Sequence, residues 1–351
     1  MDWTEQRKTE GYSEMQKRIY TLDNLKFMLI ALVVMGHIAN SYASSDALLR
    51  SAFMFIYTFH MPAFIFVSGL FCKKMTAENI RKKMIYYFLL YISLSMILRV
   101  NYFIYRRTPS FSLFSENGVP WFMFALAVFY GITYLIRDCN KVLILVFCIL
   151  LACFIGYDNS IGDFLCLSRI IVFYPFFLLG HMIDIPSLLS ITQKKAIRFL
   201  SAAIVLAFAL ICFLKIDSVY VFRPLLGGRN PYSTLSEVLA PYGGFLHFIL
   251  YFISFSLTIC LISIAPPRKI ILLSSLGQRT LPVYFFHYLL IYSLRYFSVA
   301  QKMAASMPNG VWQLLFLGLG IPITFVFSLK LFELPFTKLR KALFVSFPRQ
   351  T

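Results

Sequence analysis

Leu25-Lys26-Phe27-Met28-Leu29-Ile30-Ala31-Leu32-Val33-Val34-Met35-Gly36-His37-Ile38 is the stretch that decides how this chain is read. Its only ionisable side chains are Lys26 and His37. An α-helix turns about 100° per residue, so eleven steps return His37 to within about 20° of Lys26, roughly 16 Å farther along the axis. A cation and an imidazole thus share one face of an otherwise apolar helix. In a bilayer such groups are costly, and they face a bundle interior, a cavity or a partner rather than lipid.

The surroundings support a membrane setting. The chain has 351 residues, of which 59% are hydrophobic, 18% aromatic and only 14% charged, with a mean hydropathy of +0.74. Soluble domains carry about 25% charged residues, so an ordinary soluble enzyme is excluded. Apolar stretches near the bilayer-spanning length fall at 22–42, 52–71, 84–104, 120–136, 141–156, 168–183, 196–214, 245–265, 280–297 and 311–333. The expected fold is all-α: a polytopic bundle of about ten transmembrane helices in a single membrane domain over 21–337. A polar segment, 1–20, precedes it, and a basic tail, 338–351, follows. No small-residue cleavage site follows the polar segment, so the first span is expected to be retained.

The net charge of +18 does not indicate nucleic-acid binding. Lys and Arg sit in short connections between apolar stretches, the pattern of topology determinants. With the N-terminus inside, 21 of them fall on inner segments and ten on outer ones. Both termini are therefore expected in the cytoplasm, in a multi-pass protein of the inner (plasma) membrane. Lys26 then lies near the cytoplasmic end of the first span, with Asp23 one turn away as its natural partner, and His37 lies in the outer half. The segment from Lys215 to Gly244 is the largest outer connection and is placed to cover an outward-facing cleft. The seven cysteines form no CxxC pair and lie mostly in or beside apolar spans, which suits packing rather than a metal site; no metal is expected.

Three further segments place polar groups in spans. Phe59-His60-Met61-Pro62 runs on to Ser68-Gly69; Pro62 frees a backbone carbonyl beside a histidine, and Ser68-Gly69 permits close helix approach. Thr280-Leu281-Pro282 leads to the mid-span His287, and Glu333-Leu334-Pro335 closes the last span. His181 and His247 lie at span ends, where structural roles are expected. Trp121, after Pro120, reads as an interfacial anchor. An imidazole suits proton abstraction near neutral pH, as when a hydroxyl attacks an acyl carbonyl.

These segments, in this order, resemble the acyltransferase-3 superfamily of membrane acyltransferases, and within it the fucose 4-O-acetylase-like branch. Lys26 through His37, with the Leu22-Asp23-Asn24-Leu25 lead-in, resembles the family's first-helix signature of a basic residue, ten residues and a histidine. Phe59 to Gly69, Pro120-Trp121-Phe122-Met123, Tyr174 to Gly180, Thr280 to His287 and Glu333-Leu334-Pro335 are similar to its later motifs. No appended SGNH-type hydrolase domain, of the kind many members carry, is expected for this chain.

The resemblance implies an acetyl-CoA-dependent O-acetyltransferase acting on a sugar hydroxyl of a cell-surface or exported glycan, with no tightly bound cofactor. His37 is the expected general base or transient acyl carrier, with His60 and His287 in the catalytic group. Lys26 and Asp23 are expected at the acetyl-CoA end, and Asn24, Trp121 and Glu333 in substrate or structural support. Another acyl donor, such as succinyl-CoA, or another acceptor fits the same residues. A transporter or glycan flippase with an intramembrane His/Lys path is the alternative, against which stand the missing internal repeat and the uneven distribution of polar residues.

Overall fold

The computed structural model describes residues 19–73, 76–105, 118–162 and 164–345; within them the chain is helical, with no β-strand. The first helices are α1 (Tyr20–Asn40), α2 (Ala47–Tyr57), α3 (His60–Leu70) and α4 (Ala77–Ile104). Next come α5 (Trp121–Leu135), α6 (Lys141–Ile155), α7 (Leu167–Met182), α8 (Ile185–Thr192) and α9 (Lys195–Leu214). Two short helices, α10 (Ile216–Tyr220) and α11 (Arg223–Leu226), and two 3-10 turns lead into α12 (Gly243–Ile264). The chain continues through α13 (Ile271–Leu276), α14 (Thr280–Tyr296), α15 (Val299–Ser306), α16 (Val311–Gly318), α17 (Gly320–Phe327) and α18 (Lys330–Val345).

A helix occupies each of the ten expected spans, but they are unequal. Five are long and apolar enough to cross a bilayer unaided: α1, the α2–α3 pair, α4, α9 and α12. Two bent pairs raise this to seven, α7 with α8 at 92° and α16–α17 with α18 at 56°. Helices α5 and α6 are only 15 residues long. The last span is not one run: it breaks at Ser328–Leu329, and Glu333 lies in the first turn of α18 rather than at a helix end. That helix continues through Pro335 to Val345, so the boundary expected at 337 falls inside it.

Helix α1 is the hub, packed against α2, α3, α12, α13, α14, α16 and α17. At the other extreme, α9 buries only Ser201 and Cys212, and α6 only Ala152 and Cys153. Their outward side chains, Phe199 and Leu214 among them, are exposed and apolar, as a lipid-facing rim requires. Local caps fix the helix starts. Asp46 accepts the Leu49 amide at 2.9 Å through Oδ1, while its Oδ2 accepts from Gln313 at 2.9 Å and ties α16 to α2. Asn140 and Asp184 cap α6 and α8 in the same way.

The span at 52–71 is broken at Thr58–Phe59, and proline chemistry explains the break. Pro62 has no N–H to offer the Thr58 carbonyl four residues back. Ser254 Oγ of α12 supplies the missing donor at 2.6 Å. The Ile56 carbonyl, at the end of the same turn, is bonded by the His60 ring at 2.9 Å. A backbone fault in apolar surroundings is thus satisfied from a neighbouring helix, as membrane proteins require.

Close approach of α3 and α7 depends on two glycines. A Cβ at Gly69 would meet the Phe177 carbonyl oxygen at 2.1 Å, and one at Gly180 would meet that of Phe66 at 2.1 Å. The contact is reciprocal, backbone against backbone, with no flexible side chain to give way. Small residues that let helices touch in this way are a membrane packing device. We expect Gly69→Ala to push the two helices apart at a cost of about 1–3 kcal/mol. Gly318→Ala, where nothing lies within 4 Å of the added carbon, is the neutral control. Thermal unfolding of both purified variants in detergent, with a lower Tm for Gly69→Ala alone, checks this.

Candidate active site

Helix α1 carries Lys26, Ile30, Val33, His37 and Asn40 at spacings of four, three, four and three, a single helical stripe. The first three line one cavity of about 620 Å³, and the last two line a second of about 520 Å³. Met61 of α3 and Tyr284 of α14 belong to the walls of both. One face of α1 therefore passes from a lysine-bearing chamber to a histidine-bearing chamber, with two side chains from other helices between them.

At the junction the His37 Nδ1 pairs with the Tyr57 hydroxyl at 3.0 Å. That bond engages Nδ1 and leaves Nε2 as the nitrogen open to chemistry. The His287 ring lies 5.3 Å from that of His37 and the Tyr288 ring 5.0 Å away, centroid to centroid. His60 packs its ring 4.6 Å from Tyr57. The tautomers of the two supporting histidines follow from their partners, since a carbonyl only accepts. His60 Nδ1–H donates to the Ile56 carbonyl, and His287 Nδ1–H to the Val283 carbonyl at 2.9 Å. In the neutral ring each Nε2 then keeps its lone pair. His287 Nε2 is buried without a hydrogen-bond partner among the described residues, a costly atom to leave idle.

The lysine-side chamber gathers cations from distant parts of the chain: Lys26, Lys83, Arg279, Arg340 and Lys341, with Glu333 the one acidic lining residue. Lys26 pairs with Asp23 at 2.8 Å and lies 5.6 Å from the Phe71 ring centre. Lys83 sits 4.5 Å over the Tyr130 ring, which stacks on Tyr87. The floor is set by Asn24. Its amide donates to the Pro266 and Arg268 carbonyls at 2.9 and 3.0 Å, and its oxygen accepts from Ser274 at 2.7 Å. Gly277 then passes so near the Asp23 carbonyl that a Cβ would lie 1.9 Å from it. Gln278 and Arg279 are delivered to the chamber by that contact.

Arg169, Arg223 and Arg229 line the histidine-side chamber with Trp121. Arg169 is 5% exposed and lies 5.2 Å over Trp121, whose other neighbour in the stack is Phe173. Arg223 reaches Asn40 at 3.3 Å and Tyr220 at 2.7 Å. The connection after Lys215 thus does form part of a cavity wall, through Arg223, Leu226, Arg229 and Asn230.

Of the residues singled out in the sequence, His37, His60 and Trp121 line the second chamber, and Lys26 and Glu333 the first. His287 lines neither but packs on His37. Asp23 and Asn24 line neither; one holds Lys26 and the other the loop that follows α12. His181 and His247 stay apart, bonded to the Cys72 carbonyl and to Tyr232. Tyr57, Tyr284, Tyr288, Lys83, Arg169 and Arg340 were not legible as site residues, whereas Arg223 and Arg229 belong to the connection expected to cover a cleft. No group of three His, Cys, Asp or Glu placed to hold a metal occurs among the described residues.

Comparison with known proteins gives one match. No curated protein and no solved structure is similar enough to match. Residues 19–329, nearly the whole described chain and all of the α1 stripe, match the acyltransferase-3 family model, described as an acyltransferase domain. The chain belongs to the acyltransferase-3 family.

Proposed function

We propose that this membrane acyltransferase transfers an acetyl group from acetyl-CoA to a hydroxyl of a sugar in a cell-surface or exported glycan. The observation that carries this is the α1 stripe, which runs from a lysine-bearing chamber to a histidine-bearing one, the two sharing Met61 and Tyr284 in their walls. The lysine-side chamber is the donor end. Its cations suit the phosphates of CoA, and the Tyr87–Tyr130 stack offers a flat apolar face for the adenine. The roughly 16 Å from Lys26 to His37 suits an extended pantetheine arm, which would bring the thioester to the Met61–Tyr284 wall. Lys and Arg counts favour the cytoplasm for this end and the opposite face for the acceptor.

His37 is the general base. With Nδ1–H donated to Tyr57, Nε2 takes the proton of the acceptor hydroxyl as its oxygen attacks the thioester carbon. The carbon–oxygen bond forms, the carbon–sulfur bond breaks, and the proton passes from Nε2 to the departing thiolate. In the second version Nε2 itself attacks the thioester carbon and CoA leaves as its thiolate; the hydroxyl oxygen then takes the acetyl group from Nε2 while its proton passes to His287 Nε2 and on to the thiolate. The lone pair on His287 Nε2 supports the imidazolium or the reacting hydroxyl beside it. An initial-rate pattern of parallel lines, with acetyl label on His37, identifies the carrier route; intersecting lines identify the base.

We expect His37→Ala to lower acetyl transfer by about a hundredfold or more at normal protein abundance, the usual weight of a positioned base. The measurement is transfer of labelled acetyl from acetyl-CoA to glycan in membranes; transfer at the wild-type rate sinks the assignment. His287→Phe is expected to lower kcat while leaving KM for acetyl-CoA unchanged, because His287 touches the junction and not the donor chamber. Arg340→Ala is expected to do the reverse, raising KM for acetyl-CoA about tenfold, in line with one lost charge-assisted hydrogen bond.

A further inference from the structure

We infer that the Met61 side chain selects the donor, holding the transferred acyl group to a short, uncharged one. This rests on the acetyltransferase reading above and names the residue that decides which acyl thioester is used. Three helices pass from one chamber to the other at a common level. On α1 the lysine-side lining ends at Val33, and the histidine-side lining begins at His37, one turn farther on. On α14, Pro282 lies on the lysine side, Tyr288 on the histidine side and Tyr284 on both. Helix α3 runs the other way: His60 lies on the histidine side, Phe64 on the lysine side and Met61 on both. Among the described lining residues only Met61 and Tyr284 are common to the two chambers.

The two shared residues differ in kind. Tyr284 donates its hydroxyl to the Val119 carbonyl, just before α5, and its ring packs 5.5 Å from that of Phe122, so it is a fixed wall. Met61 is an unbranched thioether, which takes the shape its neighbours leave. A thioester arriving from the lysine side must bring its carbonyl carbon within reach of His37 Nε2, which sets that carbon at the level of Met61. The sulfur then lies toward the lysine side, and the methyl group of an acetyl rests against the thioether. A third carbon needs the volume that Met61 fills, and each methylene in such a pocket changes rates by about tenfold or more. Charge is excluded by the approach. Between Lys26 and His37 the α1 stripe offers only Ile30 and Val33, with Phe64 facing them from α3, so a terminal carboxylate leaves the cations for hydrocarbon. Whatever the acyl group, the same carbon–oxygen bond forms, the same carbon–sulfur bond breaks and the proton ends on the thiolate. Rate differences between donors therefore report fit.

The test uses the purified full-length protein in detergent, glycan extracted from cells that lack the enzyme, and acetyl-, propionyl-, butyryl- and succinyl-CoA as donors. Wild-type kcat/KM is expected to fall about tenfold or more from acetyl to propionyl and again to butyryl. Met61→Ala removes Cγ, Sδ and Cε. It is expected to bring propionyl and butyryl within about tenfold of acetyl, while succinyl stays at least about a hundredfold below. Met61→Val is expected to give an intermediate profile. Ratios between donors measured on one preparation do not depend on how much of it is folded, and if Met61→Ala does not fold, the Met61→Val profile decides in the same way. Equal use of acetyl and butyryl by the wild type, or succinyl transfer as fast as acetyl, overturns the inference and leaves acyl transfer standing. A donor profile unchanged by substitution at Met61 also overturns it. No transfer from any donor by the wild type overturns the acetyltransferase reading itself.

Discussion

An imidazole enclosed in a helix bundle needs each ring nitrogen bonded or given chemical work, because an idle polar atom there costs as much as a lost hydrogen bond. Much of the architecture serves that constraint at His37. The fault between α2 and α3 sets Tyr57 beside Nδ1 and turns the His60 ring back onto the last turn of α2. Ser254 on α12 repairs the carbonyl that Pro62 leaves open, so the fault is stable. The regular helix α14 sets His287 and Tyr288 on the opposite side of the ring. Four helices thus converge on one side chain of α1, which accounts for its central place in the bundle.

Charge is distributed to match. Both chambers are cationic, but their cations come from different places: α1, α4, α18 and the residue preceding α14 supply one, and α7, α11 and the connection beyond it supply the other. The wall between them is neutral, made of a thioether and a phenol.

The sequence made parts of this legible and hid others, for physical reasons. Apolar length located all ten helical stretches, because hydropathy is a local property. Five of them, or seven with each bent pair counted as one, are long and apolar enough to cross a bilayer, and the bends after α7 and before α18 are not registered by a local property. The eleven-residue interval put Lys26 and His37 on one stripe, and the structure places both on chamber walls. Mid-span position marked His60 and His287 correctly as interior groups. Tyr57, Tyr284 and Tyr288 look in sequence like ordinary aromatics in a chain that is 18% aromatic. Arg169 looks like a topology charge at a span end, whereas Arg223 sits in the connection the sequence places over the cleft. Only tertiary packing, across an interval of 20 residues for Tyr57 and of more than a hundred for the others, turns them toward His37. Asn24 shows the converse: adjacent to the stripe in sequence, it is committed to a distant loop.

The thin partition of Met61 and Tyr284 has a consequence for the cell rather than for the reaction. Under the proposed reading the two chambers face opposite sides of the membrane, and this partition is all that separates them. Energised membranes store their driving force as ion gradients, and a continuous file of water through the bundle would drain it. Bulk at Met61 and Tyr284 is therefore under a demand unrelated to turnover. On that reading, trimming either residue enlarges the passage for the acyl unit and is expected, by the same stroke, to short-circuit the compartment it separates.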